Sequence, residues 1–165
     1  MALSYYNPQL ISEILNENFV KKYREMYRLE TVLDEALILA KHNAVHAMHD
    51  VTEGGLATAL KEIADASNVG FEIFYDQLPI PEDVGAVLMH LNIDPFYVSN
   101  TGSLLATIPS DEEDNVLKLL RKVNIQASVI GEIKRREDGR YLIKNGKKYR
   151  FTYQFKDYFA EHFKI

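Results

Sequence analysis

The amino-acid sequence predicts an α/β sandwich in which helices flank a mixed β-sheet. Between residues 44 and 108, strand-like segments alternate with segments at helical spacing, in the order β-α-β-α-β. Two adjacent glycines, Gly54 and Gly55, stand where the first strand gives way to a helix. The chain has 165 residues, of which 47% are hydrophobic, so one domain can bury a core of its own. Together these observations favour a layered α/β domain.

The first thirty residues, 1–30, are predicted to form a helical extension or an interdomain linker. Asn7 is a suitable N-cap, and Pro8 suits the first position of a helix. Apolar side chains then recur at helical spacing, first as Leu10, Ile11, Ile14 and Leu15 and then as Phe19, Val20, Tyr23, Met26 and Tyr27.

The main domain, residues 31–165, is predicted to begin with a helix that Thr31 caps and that ends at Asn43. Acidic side chains at Asp34 and Glu35 lie near the positive end of this helix. One face of the helix is apolar and carries Leu33, Leu37 and Ala40.

The segment Ala44–Leu60 carries most of the functional information. Val45 and Ala47 predict a short strand that runs into Asp50 and then into the glycine pair. The helix that follows has apolar side chains at helical spacing through Ser67, namely Leu56, Leu60, Ile63 and Ala64.

Alternation of apolar residues, turn residues and capping signals predicts the remaining elements. They are a strand at 70–75, a loop at 78–81, a helix at 82–91, a helical turn at 94–100, a buried strand at 102–108, a helix at 116–123 behind a capping box of Ser110 and Glu113, and a strand at 126–134. Hairpin turns at Asp138-Gly139 and Asn145-Gly146 predict a C-terminal β-meander, and residues 157–163 predict a short aromatic helix.

The turn around the glycine pair has the chemistry of a site for a metal-bound phosphate. Adjacent glycines permit a tight turn and the close approach of a ligand. The free N–H groups of the first helical turn and the positive end of the helix dipole favour an anion. Asp50, just before the turn, can hold a divalent cation. Two structural alternatives stay open: Thr52 or Asp50 caps the helix, or the glycines only pack the helix against its strand.

Histidine and glutamate side chains near the turn are further candidates. His49 can hydrogen-bond a phosphate or orient the Asp50 carboxylate; alternatively, it is a partly buried histidine satisfied by backbone. A metal site that combines His42, His46 and His49 is not expected, because residues three apart on a strand face opposite sides. Glu53 would repel a bare phosphate; it can bind metal, take a proton or offset the helix dipole.

Three runs of sequence resemble one superfamily. The run HDVTEGGLATALKEIADAS, residues 49–67, resembles the signature of the C-terminal domain of the aminoimidazole-ribonucleotide (AIR) synthase superfamily. The run IDPFYVSNTGSLLA, residues 93–106, is similar to a segment that leads into a core strand in the hydrogenase-maturation (HypE-type) branch. The run ASVIGEI, residues 127–133, resembles the strand that follows in that branch. The three runs keep the same order as in the superfamily.

The resemblance implies an ATP-using enzyme whose C-terminal domain is an α/β sandwich of partly ferredoxin-like topology. In this superfamily an N-terminal domain dimerises and supplies most nucleotide and metal ligands, and the C-terminal domain closes the cleft. This chain resembles only the second, so ATP and Mg²⁺ are expected to bind only together with an N-terminal AIR-synthase-type domain or subunit. The isolated chain is expected to be inactive. The implied site residues are Asp50 for the metal and Thr52, Gly54, Gly55, Asn100, Thr101 and His49 for the nucleotide phosphates or substrate. For Asn100 and Thr101, an ordinary loop without a binding role is the alternative.

The sequence departs from the HypE-type pattern in two places. Members of that branch carry a C-terminal cysteine, whereas this sequence contains no cysteine. They also place an arginine where Glu53 stands. Both departures argue against dehydration of a protein-bound thiocarboxamide, and they leave the substrate open. The alternative function is a non-catalytic module that retains the fold and binds a partner protein or an anion.

Charge is distributed unevenly along the chain. Residues up to Asp114 include 6 basic and 19 acidic side chains, a net charge of −13, and the remainder has 13 basic and 5 acidic side chains, a net charge of +8. A solvated basic face that balances an acidic body is expected rather than a nucleic-acid surface, because aromatic residues do not interleave with the charges. No apolar run is long enough to span a bilayer, and a cytoplasmic location is the default. A homodimer is compatible with these features.

Overall fold

A computed structural model describes residues 1–42, 45–155 and 158 of the chain. The helices are α1 (Ala2–Tyr6), α2 (Pro8–Ile14), α3 (Glu17–Glu25), α4 (Leu33–Lys41), α5 (Gly55–Ala66), α6 (Glu82–His90) and α7 (Glu113–Lys122). The strands are β1 (Ala47–Val51), β2 (Gly70–Phe74), β3 (Asn100–Thr107), β4 (Gly131–Lys134), β5 (Arg140–Lys144) and β6 (Lys147–Arg150). The predicted α/β class is confirmed, and helices flank two sheets rather than the single mixed sheet that the sequence predicts.

The described strands form two sheets. Strands β1 and β3 pair antiparallel, and the other four form a mixed sheet in the order β4-β2-β5-β6. Strand β2 runs antiparallel to β4 and parallel to β5, so it lies between two strands that follow each other in sequence. The hairpin turn predicted at Asp138-Gly139 is therefore wrong: the N–H of Phe71 in β2 donates to the Gly139 carbonyl (3.1 Å).

The second predicted hairpin is confirmed. Asn145 and Gly146 connect the antiparallel strands β5 and β6, with φ angles of 50° and 69°. Positive φ at both central residues is what a type I′ turn requires, and the Asn-Gly pair provides it at low cost.

Helix α5 provides one wall of the main core. Its buried face carries Ala57, Ala59, Leu60, Ile63 and Ala64 and packs against buried side chains of both sheets and of the connecting segments, namely Val51, Phe71, Ile73, Phe96, Leu105 and Phe151. Burial of this apolar surface holds the end of β1 and the start of α5 in fixed positions.

The N-terminal helices form a separate layer on α6. Ile11 and Tyr23 are buried with Val87 of α6, and further apolar residues of α1 to α3 pack around them. The predicted start of α2 is confirmed, because the Asn7 side chain accepts a hydrogen bond from the N–H of Leu10 (3.2 Å) and Pro8 is the first helical residue.

Helix α4 does not bury the apolar face that the sequence pattern indicates. Its buried residue is Leu39, which packs against Val116 and Leu120 of α7, whereas Leu33 and Leu37 are 60% and 48% exposed. The Thr31 hydroxyl accepts a hydrogen bond from the N–H of Leu33 (3.3 Å), although Val32 occupies the N-cap position. The predicted helix end at Asn43 lies outside the described residues.

Several predicted elements are shorter or begin differently. The capping box of Ser110 and Glu113 is wrong, because a 3-10 helix (Ser110–Glu112) leads into α7 and α7 has no side-chain cap. Strand β4 covers only the residues that pair with β2, and most of β3 is half-buried or exposed rather than buried. The predicted helix at 157–163 falls outside the described residues. Within residues 1–42, 45–155 and 158, none of the helices has the length and apolar character needed to cross a bilayer.

Candidate functional site

The connection between β1 and α5 is a sharp elbow built on the two glycines. Gly54 and Gly55 have φ angles of +72° and +66°, and the Gly55 N–H donates to the carbonyl of Thr52 (2.9 Å). Both glycines therefore occupy the left-handed region that side chains other than glycine rarely adopt. Because the Gly55 amide is bonded inside the turn, this glycine shapes the elbow rather than presenting its own donor.

Close packing also requires glycine at these positions. A Cβ atom at Gly55 would lie 2.6 Å from the carbonyl oxygen of Val98, which is backbone and cannot yield easily. A Cβ atom at Gly54 would overlap the Thr58 hydroxyl and lie 3.3 Å from a ring carbon of Phe155. The packing interpretation of the glycine pair thus holds for Gly55, although its neighbour is the Tyr97–Val98 peptide rather than the strand.

The capping alternative is wrong for this helix. Gly54 is the N-cap of the 12-residue helix α5, and no side chain in the described part of the chain caps it. Asp50 lies within β1, and 51% of its side chain is exposed. The first turn of α5 keeps the partial positive charge of uncapped amides.

An open cavity of about 360 Å³ lies beside the elbow. Three parts of the chain line it: the end of β1 with the elbow, one face of α5, and the segment after β6. The lining residues are His49, Asp50, Thr52, Glu53, Gly55, Thr58, Ala59, Glu62, Tyr153 and Phe155. Four of the predicted site residues (His49, Asp50, Thr52 and Gly55) therefore come together here.

His49 joins β1 to α5 at the edge of this cavity. Its Nδ1 lies 2.6 Å from the backbone oxygen of Asp50, and its Nε2 lies 2.7 Å from Oε2 of Glu62. A carbonyl and a carboxylate both accept, so the two contacts are satisfied together when both ring nitrogens carry protons. The hydrogen bond to the Asp50 carbonyl raises the pKa of His49, against an opposing effect of desolvation, and Glu62 raises it further.

The sequence interpretation missed Glu62, Thr58, Tyr153 and Phe155. The sequence carries a weak signal for Thr58 and Glu62. Their spacing from Gly55, three residues and then four, places all three on one face of the helix. Tyr153 reaches the same face, where its hydroxyl lies 3.1 Å from the Thr58 hydroxyl. Of the aromatic residues near the C-terminus, Phe151 is buried in the core, whereas Phe155 is 55% exposed.

Asn100 and Thr101 lie near the elbow but do not line the cavity. Strands β1 and β3 pair regularly from Ala47 to Asp50, and then the register jumps so that Val51 faces Asn100. The jump leaves residues 101–103 of β3 without a counterpart on β1, which is the geometry of a β-bulge. Both predicted residues are exposed at this irregular end of β3.

The residues available for a metal are few. Among the described residues, no group of three or more histidine, aspartate or glutamate side chains is arranged to hold an ion. Asp50 offers a single half-exposed carboxylate. Such a site fits Mg²⁺ only where phosphate oxygens and water complete the octahedron, which is how Mg²⁺ is commonly held with nucleotides.

Comparison with known proteins identifies the family. The family model for the C-terminal domain of AIR synthase related proteins matches residues 8–144. The carbamoyl dehydratase HypE of Bradyrhizobium diazoefficiens is 32% identical over 137 residues, which cover 74% of this chain and 40% of that protein. The corresponding protein of Cupriavidus necator is 36% identical over 110 residues, 66% of this chain and 31% of that protein.

Solved structures agree with the sequence comparison. E. coli HypE superposes with a TM-score of 0.69 at 25% identity over 84% of this chain and 46% of that chain. A HypE solved in complex with ATP superposes with a TM-score of 0.59 at 27% identity over 68% of this chain and 37% of that chain. The chain thus spans less than half the length of these relatives. It belongs to the AIR synthase family, as a C-terminal domain related to that of HypE.

Proposed function

We propose that this domain supplies the phosphate-facing half of an ATP site in a HypE-like enzyme, and that an N-terminal AIR-synthase-type domain completes the site. The observation that carries the proposal is the uncapped start of α5, which lies beside a half-exposed carboxylate and an open cavity. A relative with the same fold and 27% identity was solved with ATP, which supports nucleotide binding as the function to which this chain contributes.

The proposed roles follow from where the side chains lie. The backbone N–H groups at the start of α5 would donate hydrogen bonds to a phosphate oxygen, and the positive end of the helix dipole would strengthen this contact. Thr52 would offer its hydroxyl from the same turn, and Asn100 with Thr101 would make polar contacts from the neighbouring end of β3. Mg²⁺, when bound, would neutralise phosphate charge, and Asp50 would provide its protein ligand.

The charges around the cavity favour a nucleotide that arrives with its metal. Asp50, Glu53 and Glu62 line the cavity, and His49 is the one lining residue of the described chain that can carry a positive charge. A bare triphosphate would be repelled by three carboxylates at close range. We therefore infer that the magnesium complex of ATP, rather than free ATP, is the bound species.

The 165 residues of this chain contain no cysteine, so they offer no thiol on which a carbamoyl group could be carried. The domain alone is expected to bind Mg-ATP weakly and to have no turnover. A non-catalytic anion- or partner-binding module is the second candidate, favoured by Phe155, which covers Gly54 from one side.

Calorimetric titration with Mg-ATP tests the proposal. The titration uses the chain alone and the chain mixed with the N-terminal portion of the Bradyrhizobium diazoefficiens HypE. Binding is expected to strengthen in the mixture and to fall at least tenfold in Asp50→Ala, whereas Asp114→Ala, a matched exposed aspartate on α7, keeps it. Binding of phosphate or ATP that does not require magnesium or Asp50 would favour the non-catalytic module instead.

A further inference from the structure

Helix α4 presents an apolar face to solvent. Leu33 and Leu37 lie one turn apart and are 60% and 48% exposed, and Ala40 on the same face is exposed as well. The opposite side of the helix is already used, because Leu39 is buried against α7. An amphipathic helix normally turns such a face inward. Here two helix faces are apolar, and residues 1–42, 45–155 and 158 cover only one of them.

This face continues toward the elbow through close backbone contacts. Leu29, which ends the 3-10 helix (Met26–Leu29) before α4, is 62% exposed. Its carbonyl oxygen sits where a Cβ atom of Gly102 would be, so the start of β3 lies directly against it. Two residues earlier, Asn100 pairs with Val51 at the base of the elbow. We call Leu29, Leu33, Leu37 and Ala40 the α4 surface.

We propose that the α4 surface is where an N-terminal AIR-synthase-type domain docks, so that the docked domain also reaches the elbow. The inference rests on the proposed function, since it names the surface through which the nucleotide site would be completed. Related proteins supply the occupant: this chain covers 40% of the Bradyrhizobium relative, so more than half of that protein lies outside the match. The domain can belong to the same polypeptide or to another.

Composition and charge describe the matching face of the partner. Exposed leucines spaced along a helix form the kind of apolar patch that marks an interaction site, and the fully buried core of an interface is more apolar than its rim. Glu30, Asp34 and Glu35 border the α4 surface, and the chain up to Asp114 has a net charge of −13. The partner face is therefore expected to be apolar at its centre and basic at its rim.

Two measurements with matched controls test the docking surface. The chain has no cysteine, so Leu37→Cys and Met89→Cys each give one thiol on an exposed helix position. When the N-terminal portion of the Bradyrhizobium relative is added, maleimide labelling is expected to slow at least tenfold at residue 37 and to stay unchanged at residue 89. In a binding assay without nucleotide, Leu33→Glu/Leu37→Glu is expected to weaken association at least tenfold, while Met89→Glu/Tyr149→Glu retains it.

The outcomes separate this inference from the proposed function. Association that survives Leu33→Glu/Leu37→Glu, or that leaves residue 37 fully reactive, overturns the docking surface even if Mg-ATP still binds. Self-association of the chain that blocks residue 37, or no association with the N-terminal portion, overturns the assigned occupant. Association through the α4 surface without any Mg-ATP binding supports the docking surface and overturns only the ATP proposal. Circular dichroism of each double variant checks that the fold is retained.

Discussion

His49 shows how one residue connects a strand to the neighbouring helix beside the candidate site. Both of its ring nitrogens face acceptors, the Asp50 carbonyl on its own strand and the Glu62 carboxylate on α5. This arrangement holds the imidazole in one orientation and favours its charged form. The positive charge also offsets part of the acidic lining of the cavity, which a nucleotide would have to approach.

The contact between His49 and Glu62 predicts a pH-dependent stability. The pKa of His49 is raised in the folded chain, so the contribution of the contact is fully present below the unfolded value of 6.5 and is lost as pH rises through the folded value. Glu62→Gln is expected to lower the free energy of unfolding by about 1 kcal/mol or less near pH 5.5 and by less at pH 9, since the pair is exposed.

Urea unfolding at several pH values measures this difference. Glu13→Gln, an exposed glutamate of α2, is the control and should show no such pH dependence. Equal effects of Glu62→Gln at pH 5.5 and pH 9 would show that His49 is not held in its charged form by this pair. Titration of the His49 ring by NMR gives an independent value for the folded pKa, which is expected to lie above 6.5.

Among the elements, the elbow before α5 depends most strongly on its glycines. A side chain at a glycine position can cost free energy in two ways, through an unfavourable left-handed backbone and through a steric clash of its Cβ atom. Three glycines of this chain allow the two costs to be measured separately. Gly85 in α6 has room for a Cβ, with its nearest neighbour at 3.8 Å; Gly146 has a φ of +69° but open space; Gly55 has a φ of +66° and backbone at 2.6 Å. Each position can be changed to alanine, so the three variants form a matched series.

The series predicts a graded change in the free energy of unfolding. Gly85→Ala should stabilise the domain by about 0.5–1 kcal/mol, because alanine is favoured inside a helix. Gly146→Ala should cost about 1–2 kcal/mol from the left-handed backbone. Gly55→Ala should cost about 3 kcal/mol or more, because the same strain is added to a clash with the Val98 carbonyl. Urea unfolding measures all three, and equal values for Gly55→Ala and Gly146→Ala would contradict the close packing at the elbow.

The elements that the sequence predicts best are those fixed by neighbours along the chain. Asn7-Pro8 begins α2 because a side-chain acceptor and a missing N–H act within one turn. The spacing of apolar residues sets α5, and Asn145-Gly146 sets a tight hairpin by its local φ angles. In each case the forces involved act over fewer than about ten residues.

The elements that the sequence misplaces depend on distant partners. Asp138-Gly139 has the local signal of a hairpin, but β2, some seventy residues earlier, pairs with both flanking strands and separates them. The apolar pattern of α4 indicates which of its residues favour burial. The pattern does not indicate whether the residues that pack against them belong to this chain or to another. The same limit applies at the site: Asp50 and His49 are marked by the motif, whereas Glu62 and Phe155 reach the cavity only through folding.

At the scale of the whole molecule, ion pairs connect the basic later part of the chain to its acidic earlier part. Basic residues after position 114 pair with acidic residues of the earlier part: Arg140 with Asp65 (2.5 Å), and Lys148 with Glu72. Other basic side chains, such as Arg135, pair within their own turn. These pairs are consistent with a solvated basic face that balances an acidic body, as the sequence suggested.

Arg140 is expected to contribute most to the contact between these two parts. Its guanidinium donates to the Val69 carbonyl (3.2 Å) and to Asp65, and only 27% of its side chain is exposed, against 77% for Arg135. Arg140→Ala is expected to lower the free energy of unfolding by about 1–2 kcal/mol, because a half-buried carbonyl loses a charged donor. Arg135→Ala should change it by less than about 0.5 kcal/mol.

Salt separates the two bonds that Arg140 makes. Raising NaCl from 0.05 to 0.5 M is expected to reduce the effect of Arg140→Ala without removing it, since salt screens the ion pair with Asp65 and leaves the bond to the carbonyl. Asp65→Asn should lose only the salt-sensitive part. If the effect of Arg140→Ala vanished completely in salt, the ion pair alone would join the basic strands to α5, and the Val69 carbonyl would contribute nothing to that contact.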